Sequence, residues 1–101
     1  MVRWTRSARI KYGNFIQGVQ WAKEMAEFVN KKYKIQVSVY MDSFGEFATI
    51  RWFCDYKDLA ALEKLGSQLL ADQEYLQKVN KGTEFLVPDS VFDTVMRAMA
   101  A

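Results

Sequence analysis

Residues 35–53, "IQVSVYMDSFGEFATIRWF", read as two β-strands around a tight loop. This pair limits the fold more than any other stretch, because large side chains occupy both of its faces. A strand that covers a core on one side and meets water on the other alternates between apolar and polar. In the first strand Ile35, Val37, Val39 and Met41 oppose the mixed row Gln36, Ser38, Tyr40 and Asp42. In the second, Ala48, Ile50, Trp52 and Cys54 oppose Phe47, Thr49, Arg51 and Phe53. The apolar rows belong to a core. The mixed rows are too aromatic for an ordinary wet surface.

The elements on either side follow from changes of hydrophobic period. Val2, Trp4, Ala8 and Ile10 share one row of a first strand against Arg3, Thr5, Ser7 and Arg9, with Arg6 interrupting the apolar row. From Phe15 the period becomes helical: Phe15, Val19, Ala22, Met25, Ala26 and Val29 form the buried stripe. Asn14 is the expected cap, Lys31 and Lys32 suit the negative end of the helix dipole, and Gly18 marks a close packing point. Gly45 supplies a positive φ in the hairpin loop. A second helix in "DYKDLAALEKLGSQLL" starts at an aspartate cap and is expected to bury Leu59, Leu62, Leu65 and Leu69. A third starts at Asp72, points Tyr75, Leu76 and Val79 inward, and ends at Gly82 in the left-handed position. After Pro88, "SVFDTVMRAM" alternates as a last strand.

Strand, helix, strand, strand, two helices, strand is the order of a split βαβ, ferredoxin-like α+β fold: a four-stranded antiparallel sheet with its helices on one face. At 101 residues, half of them hydrophobic, the chain suits one domain over residues 1–101. Helices cover one face only, so the row of Tyr40, Phe47, Thr49, Arg51 and Phe53 is left bare, and a bare patch of that kind marks an interface. The simplest cover is a second copy of the same sheet, giving a homodimer through the sheet face that closes into an α/β barrel.

Charge and residue usage exclude several functions. With 14 basic and 12 acidic residues scattered along the chain, there is no basic stripe of the kind that binds nucleic acid or a membrane surface. The opening "MVRWTRSARIKYG" has no continuous apolar core of a signal peptide, and no run spans a bilayer, so a soluble cytoplasmic protein is the expectation. The one cysteine, Cys54, lies in an apolar row and reads as a small buried hydrophobe. The chain has no histidine, which removes the common forms of Ser-His-Asp and Cys-His catalysis, histidine-ligated haem and the usual zinc sites. Asp55, Asp58 and Glu63 read as solvated charges at a helix start rather than metal ligands, so no metal and no cofactor are expected.

Three stretches carry a resemblance: "ATIRWFCDYKDLAALEKL", an aromatic third strand running into an aspartate-capped helix; "ADQEYLQKV", a helix opening; and the late "VPDSVFDTVMRAM". In pattern and order the chain resembles the dimeric α/β-barrel superfamily, which includes antibiotic-biosynthesis monooxygenases, NIPSNAP-like proteins and stress-responsive barrel proteins. The resemblance implies the fold and the dimer. Its members range from cofactor-independent oxidation of aromatic compounds to ligand binding without a reaction, so it carries little about chemistry. Members that use histidine for haem or acid-base work are not matched here, and no catalytic residue carries over.

What remains for chemistry is the mixed face. Arg9 from the first strand, Ser38 and Tyr40 from the second, and Thr49, Arg51 and Phe53 from the third are the candidate ligand-binding residues. Aromatic walls with a few convergent polar groups suit a small acidic or aromatic metabolite, with Arg51 as the charged anchor. The competing reading pairs Arg51 with Asp42 or Asp93, which then merely set the register of a dimer. Phe44, a large aromatic at the hairpin tip, is expected at a partner subunit or a pocket mouth, or folded back on its own chain. Three functions fit: a metal-free oxidative enzyme, a non-catalytic ligand-binding or stress-related module, and a structural dimerisation domain.

Overall fold

In the computed structural model, which describes residues 1–100, the strands are β1 (Val2–Arg9), β2 (Ser38–Met41), β3 (Thr49–Tyr56) and β4 (Phe92–Arg97), and the helices are α1 (Phe15–Tyr33), α2 (Leu59–Leu70) and α3 (Gln73–Gly82). The sheet order is β2-β3-β1-β4, and every pairing is antiparallel. This is the split βαβ, ferredoxin-like α+β fold expected from the sequence. No helix among the described residues is long and apolar enough to cross a membrane.

The core lies between α1 and the apolar rows of the sheet. Ala8, Ile10, Ala48, Ile50 and Trp52 pack against Ala22 and Ala26 of α1, with Phe15, Val19 and Trp21 closing the edge. Ile50, only 2% exposed, is the largest side chain sealed inside, and burying a residue of its size contributes about 1.5–3 kcal/mol. Two alanines let α1 approach closely enough for the Trp52 indole N–H to donate to the Ala22 carbonyl at 3.1 Å. Gly18 extends this close approach: a Cβ there would meet Ile10 Cγ2 at 2.5 Å.

Helix ends are fixed by local chemistry. Asp58 accepts from the Ala61 N–H at 2.9 Å and caps α2, and Asp72 accepts from the Tyr75 N–H at 3.0 Å and caps α3. Lys31 and Lys32 occupy the last turn of α1, where a positive charge meets the carbonyl end of the helix. Asp72 also joins the two helices, because its other oxygen takes Lys32 Nζ at 2.8 Å and the Tyr33 hydroxyl.

Several local expectations are corrected. Asn14 makes no capping bond; a 3-10 turn over Tyr12–Asn14 leads into α1 instead. The stretch 35–37 lies outside β2, tied to α1 through Asn30, whose amide bonds both the N–H and the carbonyl of Val37. Leu59 is exposed, and of the α2 leucines only Leu65 is fully buried. Gly82 is not left-handed, since Gly45 is the glycine with positive φ. Its lack of a side chain serves packing: a Cβ would meet the Trp21 ring at 2.0 Å.

Phe47 is the largest departure. The alternating pattern assigns it to the mixed face, but Ala48 takes a left-handed φ of 60°, which breaks the pleat before β3 begins at Thr49. Phe47 is thereby turned to stack on Tyr12 and Phe15, with ring centroids 4.9 and 5.9 Å away. Alanine in this conformation costs about 1–2 kcal/mol, offset here by the aromatic stack and by burial of Ala48 itself.

Candidate functional site

On the face away from the core, strand register aligns side chains in cross-strand rows. One runs Ser38, Phe53, Thr5, Thr94; the next runs Tyr40, Arg51, Ser7, Phe92; a third brings Asp55, Arg3 and Met96 together. Tyr40 is 62% exposed and Phe92 69%. Every residue of β4 is exposed on both of its faces.

The β2, β3 and β1 part of this face is concave. A depression of about 620 Å³ is lined by Ser38, Tyr40, Arg51 and Phe53 together with Arg3, Gln36, Met41, Asp42, Ser43, Phe44, Cys54 and Asp55. Tyr40 stands edge-on to Phe53 with ring centroids 5.4 Å apart, the preferred geometry for two quadrupoles of this kind. The Arg3 guanidinium lies 5.8 Å from the centre of the same Phe53 ring.

Both arginines of the depression are gripped by carboxylates. Arg51 donates from Nε to Asp42 Oδ1 at 2.8 Å and from Nη2 to Oδ2 at 3.0 Å. Arg3 makes the same two-point contact with Asp55 at 2.7 and 3.0 Å. Hydrogen bonding and charge from these guanidiniums hold the carboxyls of Asp42 and Asp55 below the usual carboxylate range. The fork geometry explains the choice of arginine, because a lysine would supply the charge without the paired donors. The charged lining therefore consists of two closed ion pairs.

Four of the six candidate residues, Ser38, Tyr40, Arg51 and Phe53, come together around this depression. Thr49 and Arg9 lie elsewhere. Thr49 is buried at the start of β3, and its hydroxyl, like that of Thr5, has no hydrogen-bond partner among the described residues. Arg9 pairs with Glu46 of the hairpin loop. Arg51 is 39% exposed along its side chain, so the pair it forms is only partly withdrawn from water. Of its two expected acid partners, only Asp42 is used. Asp93 lies on the helix side of the sheet, where Arg6 grips it at 2.7 and 2.9 Å and the Trp4 indole donates to it at 3.3 Å. That pairing also accounts for the arginine that interrupts the apolar row of β1.

The residue that sequence reasoning missed is Asp55. It reads as a solvated charge at a helix start, yet it stands opposite Arg3 on the mixed face and lines the depression. The signal was present: it lies two residues beyond Phe53, on the same side of a strand that continues to Tyr56. Cys54 is buried, in keeping with its apolar row. Among the described residues no three metal-ligating side chains converge.

With this geometry in view, the fold has solved counterparts. An uncharacterized NIPSNAP domain protein from Burkholderia xenovorans superposes with a TM-score of 0.83 at 14% identity, over 99% of this chain and 96% of that one. A NIPSNAP family protein from Agrobacterium tumefaciens gives 0.81 at 12% identity, over 97% and 92%. A structure described as an antibiotic biosynthesis monooxygenase gives 0.75 at 15% identity, over 99% and 100%. No protein-family model and no curated protein matches the chain. At these identities the likeness shows a shared fold and says nothing of residues in common at the depression.

Proposed function

We propose that the chain is a small-molecule binding protein whose site is the sheet-face depression, closed by a second copy packed over the same face. The observation that carries this is the depression itself. It sets the aromatic rings of Tyr40, Phe44 and Phe53 among hydroxyl and amide groups and two ion pairs, on a face that also exposes Phe92 and Met96. A concavity that joins aromatic rings to convergent polar groups can hold and orient a small metabolite. A second sheet over β4 and its neighbours would bury Phe92, Met96 and Tyr40, which are all exposed in the single chain.

The closed ion pairs favour one ligand chemistry over another. An acidic ligand would meet arginines whose charge is already matched by Asp42 and Asp55, and could use only the donors those forks leave over, on Nη1 and the outer hydrogen of Nη2. An uncharged aromatic compound needs none of these donors and can pack against the Phe53 and Tyr40 rings beside the Arg3 guanidinium. The likeness in fold to an antibiotic biosynthesis monooxygenase supports extending the reading to a metal-free oxidation of such a compound by dioxygen. A second reading, a face that serves only to dimerise, is favoured by the same in-chain ion pairs, which leave the charges of the face matched before a second copy packs on it.

Light scattering on the purified chain, combined with oxygen uptake on a panel of phenols and quinols, separates these readings. A mass of twice 11.8 kDa is expected, together with a thermal shift from at least one uncharged aromatic compound; oxygen consumption identifies the enzyme. A dimer with no thermal shift from any of them leaves only the dimerisation role. A monomer at micromolar concentration rules out the closed site.

A further inference from the structure

We infer that Phe44 closes the hairpin-loop side of the sheet-face depression over a flat ligand, the second copy covering the rest of the face, an inference that rests on the reading of that depression as a small-molecule site. Phe44 is 98% exposed at the tip of the loop between β2 and β3. A chain that only has to reverse direction does so in two to five residues with common turn chemistry. This loop is built with far more care. Asp42 at its start is held by the Arg51 fork, and Glu46 at its far side is held by Arg9. Phe47 beyond it is stacked on Tyr12. Between these anchors Gly45 takes a φ of 128°, and a Cβ there would lie 3.2 Å from Asp42 Oδ2, so the chain must be glycine to pass.

The effect of these anchors is to hold a single large apolar ring in water beside the depression, on its rim. The floor of the depression already carries Phe53 with Tyr40 edge-on to it. A planar compound set against these two rings, beside the Arg3 guanidinium that lies over Phe53, would meet aromatic surface on one side only. The Phe44 ring, turned inward about its own side-chain bonds, supplies the second side. Its place next to the glycine and between fixed anchors lets it move without disturbing either strand.

The test uses two fluorescent probes that differ in charge, the neutral N-phenyl-1-naphthylamine and the anionic 1-anilinonaphthalene-8-sulfonate. They are titrated into the wild-type chain, Phe44→Ala, Phe44→Tyr and Phe53→Ala, with mass and melting temperature measured for each. Phe53→Ala, which removes the floor, locates the probe. The expected result is about tenfold weaker binding of the neutral probe by Phe44→Ala, the size of one lost aromatic stack with its buried area. Phe44→Tyr should keep wild-type affinity, and mass and melting temperature should not change with either Phe44 variant. Equal affinity of Phe44→Ala and wild type overturns the closing role while leaving the site in place. A fall in mass for Phe44→Ala also overturns it and makes Phe44 a contact between copies. If the wild type binds neither probe, the small-molecule reading itself fails and the closing role with it.

Discussion

Arg51 and Asp42 form one unit: a mid-strand guanidinium on β3 holds the first residue after β2 through two parallel hydrogen bonds of 2.8 and 3.0 Å. In the single chain the pair is partly wet, with Arg51 39% exposed along its side chain. A double-mutant cycle with Arg51→Met and Asp42→Asn, followed by chemical denaturation at low protein concentration, should give a coupling of roughly 0.5–1 kcal/mol that falls with added salt. If a second copy covers the face at higher concentration, as proposed, the pair loses water and the coupling should rise above that range. A coupling that ignores protein concentration would show that nothing covers the pair.

Asp72 joins the ends of α1 and α3 through its carboxylate. The Lys32 ammonium, then the Tyr33 hydroxyl, then the Tyr75 backbone N–H hold its carboxyl well below the usual carboxylate range. A depressed value in the folded state means that the stabilisation is complete above the unfolded value of about 3.9 and is lost as pH falls below it. Asp72→Asn keeps a capping oxygen and removes the charge. It should be less stable than wild type at pH 7, with the gap closing as the pH is taken below about 4. Urea denaturation across that range checks this, and a gap that widens in acid would refute it.

Two glycine-to-alanine changes should act in opposite directions. At Gly82 the new methyl would meet the Trp21 ring at 2.0 Å, and overpacking of this kind costs about 1–3 kcal/mol. At Gly66, inside α2, a Cβ meets nothing within 4 Å, so the gain in helix propensity should stabilise by roughly 0.5–1 kcal/mol. Thermal melts of the two variants beside wild type give the signs. Stabilisation by Gly82→Ala would mean that the Trp21 indole is not held where its N–H bonds the Lys78 carbonyl at 2.9 Å.

Thr5 is buried on the mixed face with its hydroxyl unpartnered. An unmet buried donor costs free energy, and replacing it by an apolar group of the same shape is neutral or better. Thr5→Val should lie within about 0.5 kcal/mol of wild type, or above it. A loss of more than about 1 kcal/mol, with a fall in dimer mass, would identify the hydroxyl as bonded across the interface.

Much of this protein was legible because periodicity and end signals are local. The apolar rows of β1 and β3, the α1 stripe through Ala22 and Val29, the Asp72 cap and the Gly45 turn each depend on a few neighbouring residues, and the chain alone determined them. The close approach at Gly18 was legible in the same way, as a glycine inside an apolar helical face. What the sequence could not determine were relations between distant residues. Two acids were available to Arg51, and only register decided between them: Asp93 falls on the helix side opposite Arg6, while Asp42 falls beside Arg51. Gly82 gave the same letter as a left-handed cap, but the indole of Trp21 is what requires it. Phe47 fitted an unbroken alternation until one left-handed residue, Ala48, reversed its side. In each case the deciding energy is a contact between segments far apart in the chain, and a local pattern carries no information about which surfaces the folded chain will bring together.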